Sequence, residues 1–129
     1  MVRLAAERVQ ENDLAQIRAA AFDMRDCIRE QQAADEADVA FHVLIAEATH
    51  NTVLSGLMTV LSGLMREAYG PSRRRLLDDP ARCETFVREH LELVEALRDH
   101  DPERAAALME EHLQVATEEL RRLQREPSA

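Results

Sequence analysis

An aspartate and a histidine one helical turn apart, Asp38 and His42, are the residues of this sequence best placed to do chemistry. On an α-helix, positions i and i+4 lie about 40° apart around the axis, so both side chains can face one object. Two further histidines, His90 and His112, each fall in the apolar stripe of a later predicted helix. An aspartate and three histidines that converge inside a helical bundle would form a metal site.

Alternative roles for these residues match the sequence less well. A single histidine on an apolar face is usually a hydrogen-bonded core residue. Four metal-capable groups on the inward faces of three helices instead favour one metal ion bound by all four. A di-iron bundle needs two Glu-x-x-His pairs, and Glu47-x-x-His50 is the single pair in the sequence. Cys27 and Cys83 lack the paired spacing of a structural zinc site and are expected to be reduced, buried thiols. One divalent transition metal remains, with zinc first and nickel, iron or manganese as alternatives.

The composition indicates an all-α protein. Of 129 residues, 46% are hydrophobic, only 3% are aromatic and three are glycine. Leu, Ala, Glu and Arg dominate, and no segment alternates as a strand does. A net charge of −9 disfavours binding to phosphate backbones by this chain alone. We find no long apolar run and no basic leader, so we expect no membrane insertion and a cytoplasmic location.

Apolar periodicity and capping residues predict an antiparallel bundle of about six helices in a single domain, residues 1–126. Asn12 and Asn51 are predicted to cap the second and fourth helices, and Asp-Pro pairs start the fifth and sixth. Gly70-Pro71 is expected to end the fourth helix, with a solvated loop at 72–79. That helix contains LSGLM twice, which places Gly56 and Gly63 on nearly one face. The glycines either admit a closely packed helix or result from a chance repeat.

The sequence resembles a known family at several separate places. Asp38-x-x-Phe41-His42 followed by Ala48-x-x-Asn51 is similar to the D-x-x-F-H…A-x-x-N signature of the FadR C-terminal (FCD) domain, the effector-binding domain of GntR-family bacterial transcription regulators. Further segments agree with it, from the early LAAER stretch to the residues around the later histidines: Leu4–Arg8, Glu89–Leu97, Asp101 with Ala105, and Met109–Leu113. The resemblance covers about residues 2 to 120.

The resemblance implies that Asp38, His42, His90 and His112 are the ligands of the family's metal-binding branch. Members of that branch sense small organic acids that contact the metal, so a long-chain acyl-CoA is less expected. Homodimerisation is implied as well. The family's N-terminal winged helix-turn-helix is not expected within this chain, and DNA contact is expected only through such a domain.

Three hypotheses therefore follow. The first is a ligand-sensing and dimerisation domain of a transcription regulator rather than an enzyme, with Arg66 and Asn51 as candidate effector-binding residues. The second is a small metalloenzyme that uses metal-bound water, for which Glu47 or His50 would be the acid or base. The third is a metal-free helical interaction module with a polar core.

Overall fold

Six α-helices make up the described part of the protein. The computed structural model describes residues 1–32, 34–76 and 79–125, with side chains described at all of these except 65, 68–76, 116, 119–120 and 123–124. Within these ranges there is no strand, which confirms the all-α prediction. The helices are α1 (Val2–Arg8), α2 (Glu11–Arg29), α3 (Asp35–Glu47), α4 (Thr52–Leu76), α5 (Pro80–Arg98) and α6 (Pro102–Arg125).

Three helices start where their capping residues predict. The Asn51 side-chain oxygen accepts the N–H of Val53 at 3.0 Å at the start of α4. Asp79 accepts the N–H of Ala81 at 3.0 Å at the start of α5. Asp101 accepts the N–H of Arg104 at 3.1 Å at the start of α6. Each cap satisfies a backbone donor that the first turn of a helix leaves without a partner.

The start of α2 differs from the prediction. The helix begins at Glu11 with Gln10 as its N-cap, two residues before the predicted cap Asn12. Asp13 explains the shift, because its carboxylate reaches back and accepts the Gln10 N–H at 3.0 Å. That contact is one half of a capping box, which fixes the helix start two residues earlier.

The end of α4 is the larger correction. Gly70-Pro71 does not stop the helix, which continues to Leu76. Proline strains the helical conformation of the preceding residue largely through contact with that residue's Cβ, and glycine has none. The helix can therefore pass through this pair at the loss of one backbone hydrogen bond. The predicted loop at 72–79 is thus helical up to residue 76, and the side chains of Arg73, Arg74 and Arg75 lie outside the described ones.

The helices pack as an antiparallel bundle around one main core. Helix α3 packs against α2 and α4, α5 packs against α2 and α6, and α1 closes the bundle against α6. The core is built largely from alanine and medium-sized aliphatic side chains, among them Ile17, Ile45, Val94 and Leu97, together with Phe41. Small residues let the helix backbones approach closely, so the groups that face inward from α3, α5 and α6 come near one another.

Tight left-handed turns reverse the chain after α3 and α5. His50 and His100 both have φ of 51°, a region that non-glycine residues seldom occupy. After α5, the N–H of Asp101 bonds to the carbonyl of Ala96 at 3.0 Å, which closes the helix end. This compact turn returns α6 antiparallel to α5 and lays the two helices side by side.

Candidate metal centre

The predicted aspartate and histidine of α3 share one inward face. Asp38 lies in the first turn of α3, where a carboxylate is favoured by the helix dipole. Its side chain is fully buried, and the His42 side chain is 12% exposed. The His42 Nε2 atom lies 3.3 Å from Asp38 Oδ1. The i, i+4 spacing therefore brings both groups to a single buried point, as the sequence predicted.

His90 of α5 faces the same carboxylate oxygen. Its Nδ1 lies 2.7 Å from the backbone carbonyl oxygen of Phe86, one turn earlier on α5. Its Nε2 lies 2.9 Å from Asp38 Oδ1. Both ring nitrogens thus face oxygens that accept hydrogen bonds, but a neutral imidazole has one N–H only. The second contact needs either one further proton between Nε2 and Asp38 or a cation held there.

His112 of α6 completes the group and is oriented by Glu89. Its Nδ1 lies 2.5 Å from Glu89 Oε2, so the ring donates its proton away from the cluster. Burial, and after it the nearby His90, lowers the pKa of His112 from 6.5 to about 4, although the hydrogen bond to Glu89 opposes both. The ring is therefore neutral at pH 7. Its Nε2 lone pair is buried without a hydrogen-bond partner among the described residues.

The three imidazoles lie close enough to share one ion. Ring nitrogens of His42, His90 and His112, one from each, all lie within 4.8 Å of one another. The His42 and His112 rings are stacked with centroids 5.8 Å apart. Phe41 and Phe86 border the group, with ring centroids 4.7 and 4.4 Å from that of His90. These aromatic neighbours exclude water, which strengthens electrostatic interactions inside the cluster.

The distances around Asp38 fit common ligation of a metal. Ligand atoms about 2.1 Å from one metal are separated by about 3.0 Å at octahedral angles and about 3.4 Å at tetrahedral angles. The two contacts of Asp38 Oδ1, at 2.9 and 3.3 Å, match that spacing. The His112 Nε2 atom is buried and neutral and has no hydrogen-bond partner in the described part of the chain, and this is likewise what a metal ligand requires. The residues present therefore fit a divalent transition metal.

Sequence reasoning missed the role of Glu89. In the sequence it stands out only as part of a family motif, although it fixes the His112 ring from the neighbouring helix. A carboxylate that accepts the second N–H of a metal-binding imidazole orients the ring and raises its basicity. Glu89 and His112 are 23 residues apart, and no spacing rule links residues on two different helices. The contact of His90 with the Phe86 carbonyl is easier to predict from the sequence, because the carbonyl one turn earlier lies beside the side chain in any helix.

The two predicted effector-binding residues lie in other contacts. Arg66 pairs with Glu36 across α4 and α3, with Nε 2.9 Å from Oε1 and the arginine side chain 44% exposed. Asn51 uses its side-chain oxygen to cap α4. The roles of both residues in effector binding stay predictions.

The acid–base candidates of the enzyme hypothesis do not join the cluster. His50 is 43% exposed, and its Nε2 lies 2.8 Å from the carboxylate of Asp13 on α2. Glu47, in the last turn of α3, is exposed. Neither residue therefore faces the group formed by Asp38 and the three histidines.

A separate surface cleft lies between α2 and α5. It has a volume of about 1060 Å³, and none of the four cluster residues lines it. Its wall mixes charged and apolar side chains, among them Arg25, Arg29, Asp35, Cys83 and Arg88. The cluster is thus a buried feature of the core rather than part of this cleft. Among the described residues, no helix is both long and apolar enough to cross a membrane.

Comparison with known proteins places the chain in a family. The FCD domain model matches residues 1–115. The galactonate operon transcriptional repressor of Escherichia coli is 33% identical over 105 residues, which is 81% of this chain and 44% of the repressor. The HTH-type transcriptional regulator LutR of Bacillus subtilis is 31% identical over 111 residues, or 85% of this chain and 51% of LutR.

A third relative is also named as the regulator of an operon. The putative L-lactate dehydrogenase operon regulatory protein of Escherichia coli is 32% identical over 80 residues, or 62% of this chain and 31% of that protein. The chain spans about half the length, or less, of these curated relatives. All three are transcription regulators by name, which supports a regulatory domain over the metalloenzyme alternative. The chain therefore belongs to the FCD domain family, whose relatives here are GntR-family transcriptional regulators.

Proposed function

We propose that this chain is a ligand-sensing and dimerisation domain that binds a small organic acid at a metal held by Asp38, His42, His90 and His112. The observation that carries the proposal is the convergence of three histidines from three helices, two of them in contact with Asp38. The His112 Nε2 lone pair is buried there without a hydrogen-bond partner among the described residues. In a metal-free polar core, a buried nitrogen lone pair is expected to accept a hydrogen bond.

Each ligand residue has a defined task in this proposal. Asp38 contributes the negative charge that offsets a divalent cation inside the core. His90 and His112 present Nε2 because Phe86 and Glu89 hold their Nδ1 atoms. Zinc is the first expectation, and nickel, iron or manganese suit the same ligands. A metal held by four protein groups can accept further oxygen ligands when it is five- or six-coordinate.

The proposed effector class is the hydroxycarboxylic acids. Two relatives are named for operons of galactonate and of L-lactate dehydrogenase, and galactonate and lactate both carry a hydroxyl group beside a carboxylate. Such a pair of oxygens can chelate one metal, whereas a simple carboxylate offers a single group. Arg66 is proposed as a second contact for an effector carboxylate.

The sensing domain is proposed to work within a longer, cytoplasmic regulator. The chain matches only part of each relative, and the proposed DNA contact lies in a winged-helix domain outside it. Effector binding would change the relative positions of α3, α5 and α6, because these helices carry the ligands. A ligand that binds two packings with different affinity shifts their populations, and paired DNA-binding domains would respond to that shift.

Calorimetry with matched acids tests the effector proposal. Metal-loaded protein is expected to bind lactate or galactonate at least tenfold more tightly than propionate, which lacks the hydroxyl group. Galactose, which lacks the carboxylate, is the second control. Equal affinity for lactate and propionate, or unchanged lactate binding after chelation, would contradict the metal-chelation proposal.

A further inference from the structure

Helix α4 carries an apolar stripe on its outer face. Val53 is 75% exposed, Leu57 50%, Val60 62% and Leu64 58%. The opposite face of α4 packs against α3 and α6, and Ser62 on that inner side is buried. The outer stripe therefore presents large aliphatic side chains to solvent, a feature that commonly marks a protein–protein interface.

Charge separates this surface from the rest of the chain. Charged residues make up 32% of the sequence, yet residues 52–65 contain none. Two copies of the chain, each with a net charge of −9, would repel one another over most of their surfaces. The outer face of α4 is a place where two such copies can meet without opposing like charges. An acidic or basic partner would have no charge to pair with there.

The spacing of the stripe is self-complementary. Val53, Leu57, Val60 and Leu64 follow one another at intervals of four, three and four, which is the spacing of a coiled-coil seam. The spacing of four, three and four reads the same from either end of the helix, so it also matches itself in an antiparallel pair. When two α4 helices run antiparallel about a two-fold axis between residues 58 and 59, Val53 faces the partner's Leu64 and Leu57 faces the partner's Val60.

Gly56 fits the same arrangement. A Cβ atom added at Gly56 would meet nothing within 4 Å, so the glycine leaves open space at the surface. In the antiparallel register, Gly56 flanks the seam and lies level with the partner's Leu61, which is 40% exposed in this chain and flanks the seam on the opposite side. A glycine beside the seam has no side chain to hold the partner helix away, and the two-fold axis repeats this feature on the partner.

We infer that a second copy of this chain docks on the outer face of α4, antiparallel, with Val53, Leu57, Val60 and Leu64 as the seam. The inference deepens the proposed function by locating its dimer, and it does not depend on the metal. Because the inner side of α4 packs against ligand-bearing helices α3 and α6, this interface would also report changes at the metal centre.

Sedimentation velocity of the 129-residue chain tests the interface. Wild-type protein is expected to be a dimer, and Val60→Glu is expected to weaken association at least tenfold, because glutamate would be buried without a partner. Thr59→Glu is the matched control, since Thr59 is exposed on the same helix and points about 100° away from Val60. A monomeric wild type, or a Val60→Glu dimer as tight as wild type, would overturn the inference.

Metal content keeps this test separate from the metal proposal. The stripe contributes no predicted ligand, so Val60→Glu should retain wild-type metal content. A monomeric variant with that content supports the interface, whereas a dimeric variant contradicts the interface even when metal is bound.

Disulfide trapping tests the register in a Cys27→Ser, Cys83→Ala background. The two copies of residue 53 would lie about 16 Å apart along the helix axis, too far for a disulfide. Val53→Cys alone should therefore not cross-link, whereas Val53→Cys combined with Leu64→Cys should. Cross-linking by Val53→Cys alone would indicate a parallel pair and overturn the antiparallel register. Absence of cross-links in the double variant would overturn it as well.

Discussion

Asp38 Oδ1 and His90 Nε2 lie 2.9 Å apart inside the core, although the two residues are 52 positions apart in sequence. His42 Nε2 lies 3.3 Å from the same oxygen. One carboxylate oxygen therefore connects α3 with α5. Because His90 also directs its other nitrogen at the Phe86 carbonyl, the arrangement requires an added proton or an added cation.

Replacing Asp38 tests its role as a ligand. Asp38→Asn removes the negative charge while keeping the shape, so metal affinity is expected to fall by about 100-fold or more. Removal of a buried charge beside His90 is also expected to lower the free energy of unfolding by about 3 kcal/mol. Asp23→Asn, an exposed change on α2, is the control and should alter neither quantity. Metal titration followed by chemical denaturation measures both. Wild-type affinity in Asp38→Asn would exclude Asp38 from the metal site.

Glu89 should act as a positioning residue for His112. Glu89→Ala is expected to weaken metal binding by about 10- to 100-fold, because the His112 ring loses its orienting acceptor. Glu89→Gln keeps an oxygen acceptor and should lose less. Glu95→Ala, an exposed change on the same helix, serves as the control. Competitive zinc titration compares the zinc affinities of Glu89→Ala, Glu89→Gln and Glu95→Ala. Equal affinities for all three variants would contradict a positioning role for Glu89.

The buried His112 should make the metal-free protein sensitive to acid. Its folded pKa of about 4 lies below the value of 6.5 for a free histidine, so the unfolded chain binds a proton first as pH falls. The free energy of unfolding is therefore highest above pH 6.5 and decreases towards pH 4, by up to about 3 kcal/mol from this residue. Urea denaturation with chelator at pH 7.5, 6 and 5 measures the slope.

His112→Gln provides the comparison for the acid effect, since glutamine does not titrate in this range. The variant should show a shallower loss of stability between pH 6.5 and 4 than wild type. An identical slope in the two proteins would assign the acid sensitivity to other groups.

Asn51 should contribute to stability through its cap on α4. Asn51→Ala removes the acceptor of the Val53 and Leu54 N–H groups and is expected to lower the free energy of unfolding by about 1 kcal/mol. Asn51→Asp retains an acceptor and should be close to wild type. Metal content should be unchanged in both. A loss of effector affinity in Asn51→Asp, with stability retained, would support the predicted effector role of the residue.

Most of the fold could be predicted because its signals are local. Asn51, Asp79 and Asp101 satisfy backbone donors within three residues, and the apolar stripes need only the helical period. The predicted end of α4 was wrong because Gly70 relieves the strain that Pro71 would otherwise impose. The early start of α2 depends on the hydrogen bond from the Gln10 N–H to the Asp13 carboxylate. This bond makes Gln10 the N-cap in place of Asn12.

The candidate site was predictable only in part. Asp38 and His42 share a face by spacing alone, but their distance to His90 depends on where the bundle places α3 relative to α5. Glu89 could not be found in that way, since its contact with His112 crosses between helices. The exposure of Val53 and Val60 likewise depends on which face of the apolar helix α4 the bundle covers.

The metal content of the purified protein, measured with the melting temperature before and after chelation, tests the central claim most directly. We expect about one equivalent of a transition metal per chain. Zinc or nickel added after chelation should raise the melting temperature by about 10 °C at metal concentrations near 100 times the Kd. Protein without bound metal, and without stabilisation by zinc, nickel, iron or manganese, would contradict the claim and leave Asp38, His42, His90 and His112 as a polar core network.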